Sequence, residues 1–278
     1  MTRKGRSKDS VGQSSASDRT SRARHRPMNY EPMLWGRHAV VAALANPKRA
    51  VKRLFLAPNA NSIVGEALAS LDLSRRNALP IPEALTTDLA KRLLPAGAVH
   101  QGVAATVAPL PPIRIEDLTN RPEHNHPALV VLLDQVTDPQ NVGAILRSAA
   151  FFGVSAVVIQ SRNAPPVDGT LAKAASGALE SIPLLTVTNI CRTLDDLKKH
   201  GFWCVGLSGD AEYPISRARL DGPTTLVLGA EGSGLRRLTR KNCDQLVYIP
   251  ASRGFTSLNV SNAAAIALFE ARQTRLKN

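Results

Sequence analysis

From Ala128 onward the chain repeats one pattern, a short unbroken apolar run followed by a longer mixed segment. The runs are ALVVLL (128–133), AVVI (156–159), IPLLTV (182–187), WCVGL (203–207), TLVLG (225–229) and LVYIP (246–250). Between them NVGAILRSAAFFG, GTLAKAASGA, NICRTLDDLKKHG and GLRRLTRKNC are each long enough for a helix. Apolar strands without alternation, joined by helices, predict an α/β domain with a parallel sheet covered on both faces. Ahead of it, GRHAVVAAL (36–44) reads as a helix, VKRLFLA (51–57) as a strand and IVGEALASL (63–71) as a helix. PEALTTDLAKRLL (82–94) follows as a third helix and VAATVA (103–108) as a strand. The expected organisation is therefore a small α/β unit over 31–108, a linker over 109–127 with five prolines, and a larger domain over 128–278. Internal repeats are absent.

Parallel sheets hold ligands at the carboxyl ends of their strands. Three of those ends carry unusual sequence. In LLDQVTDPQNVGAILRSAAFFGV a strand finishes at Asp134 and a helix begins near Asn141. Asn141 and Arg147 lie about 240° apart around a continuous helix, so they converge only if Asn141 sits in the preceding loop, as Asp138-Pro139 suggests. In LVLGAEGSGLRRL a buried strand runs into a glycine turn holding Glu231. Gly229 to Gly234 has the outline of a phosphate loop, but Leu235-Arg236 replaces its Lys and Ser/Thr, and the dinucleotide spacing fails as well. That turn is expected to bring backbone close to a flat or polar ligand.

The third end, SRGFTSLNVSNAAAIALFEARQ (252–273), crowds Thr256, Ser257, Asn259, Ser261 and Asn262 in front of an alanine-rich helix. One cap needs one such residue. Ser261 is the expected cap, which leaves the others for a donor-rich pocket. The helix over 260–275 is apolar nearly all round, as befits a core or a subunit interface.

Charge adds a partner. Lys and Arg outnumber Asp and Glu 35 to 22, for a net +13 over 278 residues. Residues 1–28 hold eight Lys/Arg and two Asp with one valine, so a basic tail over 1–30 cannot build a core and reads equally as a solubilising appendage or as an arm that grips phosphates. A basic excess of this size points to nucleic acid. No run approaches a membrane span or a secretory signal. Scattered Cys191, Cys204 and Cys243 fit reduced thiols in the cytoplasm. Without a secretory signal, the sequon Asn259-Val260-Ser261 has no glycosylation role. The six histidines, His124 and His126 included, supply no zinc spacing, so no metal is expected. A nucleophile elbow is also missing.

Taken together and in order, DPQNVGAILRSAAFFG (138–153), LVLGAEGSGL (226–235) and IP…SLNVSNAAAIALFEA (249–271) resemble the signature motifs of the SpoU (TrmH) family of RNA 2′-O-ribose methyltransferases. GRHAV (36–40) and HQGVAA (100–105) resemble the small substrate-binding domain of members that methylate guanosine in large-subunit ribosomal RNA. The resemblance implies a deep C-terminal trefoil knot, a homodimer, an RNA substrate and S-adenosylmethionine as cofactor. It implies cofactor contacts at Gly229, Ile249 and Leu258, and catalytic or substrate-handling roles for Asn141, Arg147, Glu231, Ser257 and Asn259. Arg147 matches a position assigned to activating the hydroxyl with help from an RNA phosphate; because arginine stays protonated, phosphate clamping is the chemically sounder role. Arg253 and Asn262 depart from the family pattern. The same reaction on transfer RNA, or a non-catalytic RNA-binding role in ribosome assembly, are the competing readings.

Overall fold

A computed structural model describes residues 31–119, 127–252 and 257–277. The basic tail, His124 and His126, Arg253 and Thr256 lie outside these residues.

The first unit comprises β1 (Met33–Trp35), α1 (Arg37–Ala45), β2 (Val51–Leu56), α2 (Asn61–Ala69), α3 (Leu73–Asn77), β3 (Glu83–Ala84), α4 (Thr87–Leu93) and β4 (Val103–Val107). Its four-stranded sheet has the order β1-β4-β2-β3, with β4 antiparallel to both neighbours. One expected helix, 82–94, is divided. Leu85 N–H donates to Leu56 C=O, which ties that stretch to the sheet. The helix waits for Thr86, whose hydroxyl accepts from Leu89 N–H and caps α4.

After α5 (Glu116–Thr119) come β5 (Leu129–Asp134), α6 (Pro139–Phe151), β6 (Ala156–Gln160), α7 (Gly169–Ala174), α8 (Ala178–Ser181), β7 (Leu184–Val187), α9 (Ile190–Lys199), β8 (Trp203–Leu207), β9 (Tyr213–Pro214), β10 (Thr224–Gly229), α10 (Arg237–Lys241), β11 (Gln245–Tyr248) and α11 (Val260–Lys277). The seven strands pair in the order β7-β6-β5-β10-β8-β11-β9, all parallel. Every residue of the central β5 is buried, as its unbroken apolar run requires. GTLAKAASGA makes two helices rather than one, because Ser176 and Gly177 both take positive φ between α7 and α8.

The two units share one hydrophobic core, in which Leu34, Val40 and Leu44 pack with Val142, Leu146 and Leu171. Trp35 lies so close over Gly169 that any side chain there would overlap its ring. Arg49 and Glu180 form a buried ion pair across the same junction, 2.7 Å between Nη2 and Oε1.

α11 is only partly the buried helix that its composition predicts. Ala264, Ala267, Leu268 and Ala271 face the core, while Ile266 and Phe269 are exposed on the opposite side. Near its end the buried Arg275 donates to the carbonyls of Leu220, Gly222, Pro127 and Ala128. Burial pulls its pKa down to about 10, so it remains charged at neutral pH. No helix among the described residues is long and apolar enough to cross a membrane.

Candidate active site

The carboxyl edge of the seven-stranded sheet gathers the polar residues singled out above. Three of them form one hydrogen-bonded cluster. Asn141 Nδ2 donates to Glu231 Oε1 at 3.1 Å, and Asn259 Nδ2 donates to Asn141 Oδ1 at 3.0 Å. Asn259 Nδ2 also donates to Glu231 Oε1, and Val260 N–H reaches the same oxygen at 3.4 Å. One carboxylate oxygen thus ties together α6, the turn after β10 and the start of α11.

Local sequence explains how each member arrives. Asn141 lies in the first turn of α6, not in the preceding loop that convergence with Arg147 would require. Asp138 accepts from Gln140 N–H as the cap, and Pro139 stands at the first helical position, where its fixed φ suits a helix start. Asn141 and Arg147 consequently point to different sides. Asn141 is half-buried toward Glu231, whereas Arg147 is exposed and makes no hydrogen bond or ion pair among the described residues.

Glu231 sits in a turn closed on itself, with Gly234 N–H donating to Ala230 C=O at 2.9 Å. Gly229 must be glycine here, since a Cβ would overlap the backbone of Gly234 and Leu235. Asn259, rather than Ser261, caps α11. Its Oδ1 accepts from Ser261 N–H at 2.9 Å and Asn262 N–H at 3.4 Å. Ser261 Oγ donates to the same oxygen at 2.6 Å. Asn259 therefore has two employments, a cap through Oδ1 and the cluster through Nδ2. Asn262 contributes its backbone to that cap; nothing in the structure explains its side-chain amide.

Ser257 and Leu258 are exposed just ahead of the cap, and Ile249 is half-buried just past β11. Gly229 and Ile249 close strands that flank β8. Ile249 and Leu258 offer apolar surface at this edge, and Glu231 stands in the neighbouring turn as its carboxylate. Such a set fits a flat organic ligand carrying a positive charge. Among the described residues no group of His, Cys, Asp or Glu could hold a metal ion.

Sequence reasoning missed Asp134. This fully buried carboxylate ends β5 and accepts from Arg236 N–H at 3.1 Å and from Arg236 Nε at 2.6 Å. The available signal was an acidic residue closing an apolar strand, matched by an arginine at the end of the glycine turn. The pair fixes the turn's exit just as the asparagine cluster fixes its entry.

Residues 128–269 match the SpoU rRNA Methylase family, and residues 33–113 match the RNA 2′-O ribose methyltransferase substrate binding family. The chain is 40% identical over 248 residues to the 23S rRNA (guanosine-2′-O-)-methyltransferase RlmB of Pseudomonas putida, covering 88% of this chain and 97% of that protein. The protein of the same name from Pseudomonas aeruginosa is 40% identical over 87% of this chain and 96% of its own length. Among solved structures, the SpoU methyltransferase AviRb from Streptomyces viridochromogenes in complex with AdoMet superposes with a TM-score of 0.75 at 24% identity, over 89% of this chain and 91% of its own. The AdoMet-bound rRNA methyltransferase from Sinorhizobium meliloti gives 0.69 at 22% identity, over 87% of each chain.

Proposed function

Since the chain belongs to the SpoU rRNA methylase family, we propose that it transfers the methyl group of S-adenosylmethionine to a guanosine ribose 2′-hydroxyl in 23S ribosomal RNA. The observation that carries this reading is the cluster in which Glu231 Oε1 joins Asn141 and Asn259 at the carboxyl edge of the sheet. Three chain segments converge on one oxygen there, which a plain structural turn would not need.

S-adenosylmethionine supplies the activated methyl on its sulfonium, so the protein's contribution is orientation and charge. Gly229, Ile249 and Leu258 are assigned to holding it. Arg147, exposed and without a partner among the described residues, holds an RNA phosphate and orients the hydroxyl. Permanently charged, it stabilises developing negative charge on the 2′-oxygen, and the hydroxyl proton leaves to the clamped RNA phosphate or to water rather than to the arginine. Glu231 keeps Asn141 and Asn259 in place, and Ser257 faces the ribose.

The same reading includes the finer points of architecture. Residues 31–108 bind substrate RNA, residues 128–278 catalyse, and 109–127 connect them. α11 returns to the middle of the sheet, which supports a trefoil knot, and Arg275 secures it against the starts of β5 and β10. Phe151 on α6, 83% exposed, and Phe269 on α11, 52% exposed, flank Phe152 as an aromatic patch that supports a homodimer. Ribosomal RNA as substrate places the protein in the cytoplasm.

Incubating the protein with S-adenosylmethionine and unmodified 23S ribosomal RNA, then mapping 2′-O-methyl groups, tests the reading. A single new methylguanosine is expected; no incorporation into ribosomal RNA would overturn it.

A further inference from the structure

The helix that follows the glycine turn is short, yet its arginines reach in two directions. Arg236 caps α10 and Arg240 lies one turn on, so the two share a helix face. Arg236 Nη2 pairs with Asp134 Oδ1 at 2.6 Å, at the end of β5. Arg240 Nη1 donates to Ser208 Oγ at 2.9 Å and to Asp210 Oδ1 and Oδ2 at 2.8 and 3.0 Å, in the loop that leaves β8. Ser208 Oγ in turn donates to Asp210 Oδ1. β5 and β8 are the two neighbours of β10, and their anchor residues stand on one level. Asp134 is in register with Gly229. Two residues past the last β10–β8 pair, Val227–Gly206, Gly229 and Ser208 occupy corresponding positions. Strand alternation puts the side chains of Asp134 and Ser208 on the face that carries Leu132 and Cys204, against which Leu235 packs. α10 thus spans the ends of three adjacent strands, with Gly229 in the middle beneath Gly234 and Leu235.

The Arg240 end of this span has no role in the chemistry described so far. Residues 208–212 carry the chain from β8 past β11 to β9, and they leave β8 between Gly229 of β10 and Ile249 just past β11. The loop's own backbone supplies Ser208 N–H to Val247 C=O at 2.9 Å and Ala211 N–H to Ser208 C=O at 3.2 Å. Its remaining anchor is the guanidinium of Arg240. An exposed ion pair adds little to global stability, and the Asp210 side chain is 68% exposed. What the contact does is fix where the loop lies. Arg240, followed by Ser208, holds the Asp210 carboxyl down at about 2, so the contact stays ionised through the neutral range.

We propose that Arg240 is a positioning residue for S-adenosylmethionine, which holds Ser208 and Asp210 so that the loop after β8 forms a wall of the cofactor site between Gly229 and Ile249. The assignment rests on the methyltransferase reading for the identity of the cofactor. Arg240 acts through the loop, as Arg236 acts through Asp134 on the opposite flank. The glycine turn that carries Glu231 leads directly into α10, so the same two arginines tie that turn to both neighbouring strands. Preorganised supports of this kind let a site bind without first having to order its own walls.

Arg240→Met, which keeps the aliphatic stem, and Asp210→Ala test the assignment in the full-length protein. Each is expected to raise Kd for S-adenosylmethionine, measured by calorimetry without RNA, by about fivefold to tenfold. The melting temperature should stay within about 3 °C of wild type, as for the loss of one exposed ion pair. In the double variant the two losses of affinity should not add, because both substitutions release the same loop. Additive losses, or an unchanged Kd in both single variants, would overturn the assignment. A weaker Kd that comes with a melting temperature lower by about 10 °C or more would make Arg240 a structural residue and overturn it too. Hydrogen exchange on the cofactor-free protein reads the loop itself. The Ala211 amide should exchange about tenfold faster in Arg240→Met while the amides of β8 keep their wild-type rates; an unchanged Ala211 rate would show that the loop holds itself in place. A wild-type protein that binds no S-adenosylmethionine would remove the methyltransferase reading and this assignment with it, whereas wild-type binding that the variants retain overturns the assignment alone.

Discussion

Asn259 Nδ2 lies 3.0 Å from Asn141 Oδ1, across 118 residues of sequence. The side chain has one orientation only. Glu231 Oε1 accepts hydrogen bonds and so must face Nδ2, while the helix N–H groups of Ser261 and Asn262 must face Oδ1. Asn259→Ala should therefore lower stability by about 1 kcal/mol through the lost cap and remove most methyl transfer. Asn259→Ser separates the two roles: serine caps well but is too short to reach Glu231. Thermal melting should recover toward wild type while turnover stays low. Recovery of both would reduce Asn259 to a cap.

Arg147 presents the opposite case, an exposed side chain with no partner among the described residues. Its replacement by alanine should change stability by less than about 0.5 kcal/mol. S-adenosylmethionine affinity should also hold, while methyl transfer falls by about 100-fold or more through lost orientation of the hydroxyl. Parallel calorimetry and single-turnover transfer decide the matter, and an equal loss in both would remove Arg147 from the chemistry.

These two residues mark how far the sequence could be read. The apolar runs located six of the seven strands of the large sheet because a buried parallel strand needs continuous apolar side chains. β9 escaped notice because Tyr213–Pro214 is two residues long and carries no such run. Motif order brought Asn141, Glu231 and Asn259 to attention, yet their convergence on one oxygen depends on how three loops fold back, which no local pattern encodes. Asp138-Pro139 suggested a loop around Asn141, whereas these two residues cap and open the helix itself. Asp134 closing an apolar strand was the one hint of the Asp134–Arg236 pair, since partners 102 residues apart leave no periodic trace.

Arg49 and Glu180 make the junction between the two units sensitive to single substitutions. Arg49 Nε and Nη2 both reach the carboxylate, Asn46 Nδ2 donates to it at 2.8 Å, and Arg49 Nη1 binds Ala108 C=O. Both side chains are almost fully buried. Glu180→Ala should cost roughly 3–5 kcal/mol because it strands a buried guanidinium. Arg49→Met combined with Glu180→Met should cost markedly less, since no charge is left behind. Urea denaturation of the single and double variants checks this; a double variant as unstable as the single would show that the pair itself holds the units together.

Alkaline pH probes two thiols at β8, the buried Cys204 within the strand and the half-buried Cys243 beside it. Burial pushes Cys204 up to about 12, with Asp244 adding to the effect, and burial likewise pushes Cys243 up to about 12, with Cys204 adding to it. An unfolded thiol releases its proton near pH 9, and in the folded protein neither does so until about 12. The folded state therefore keeps protons that the unfolded state has lost, and stability that is intact below pH 9 declines between pH 9 and 12. Each thiol contributes a slope of up to about 1.4 kcal/mol per pH unit in that window. Lysines and tyrosines titrate there too, so the informative quantity is a difference. Denaturant melts of wild type and Cys204→Ala should converge as pH rises from 9, because the variant lacks one of the two thiols. Curves that stay parallel would show that Cys204 ionises as readily in the folded protein as in the unfolded chain.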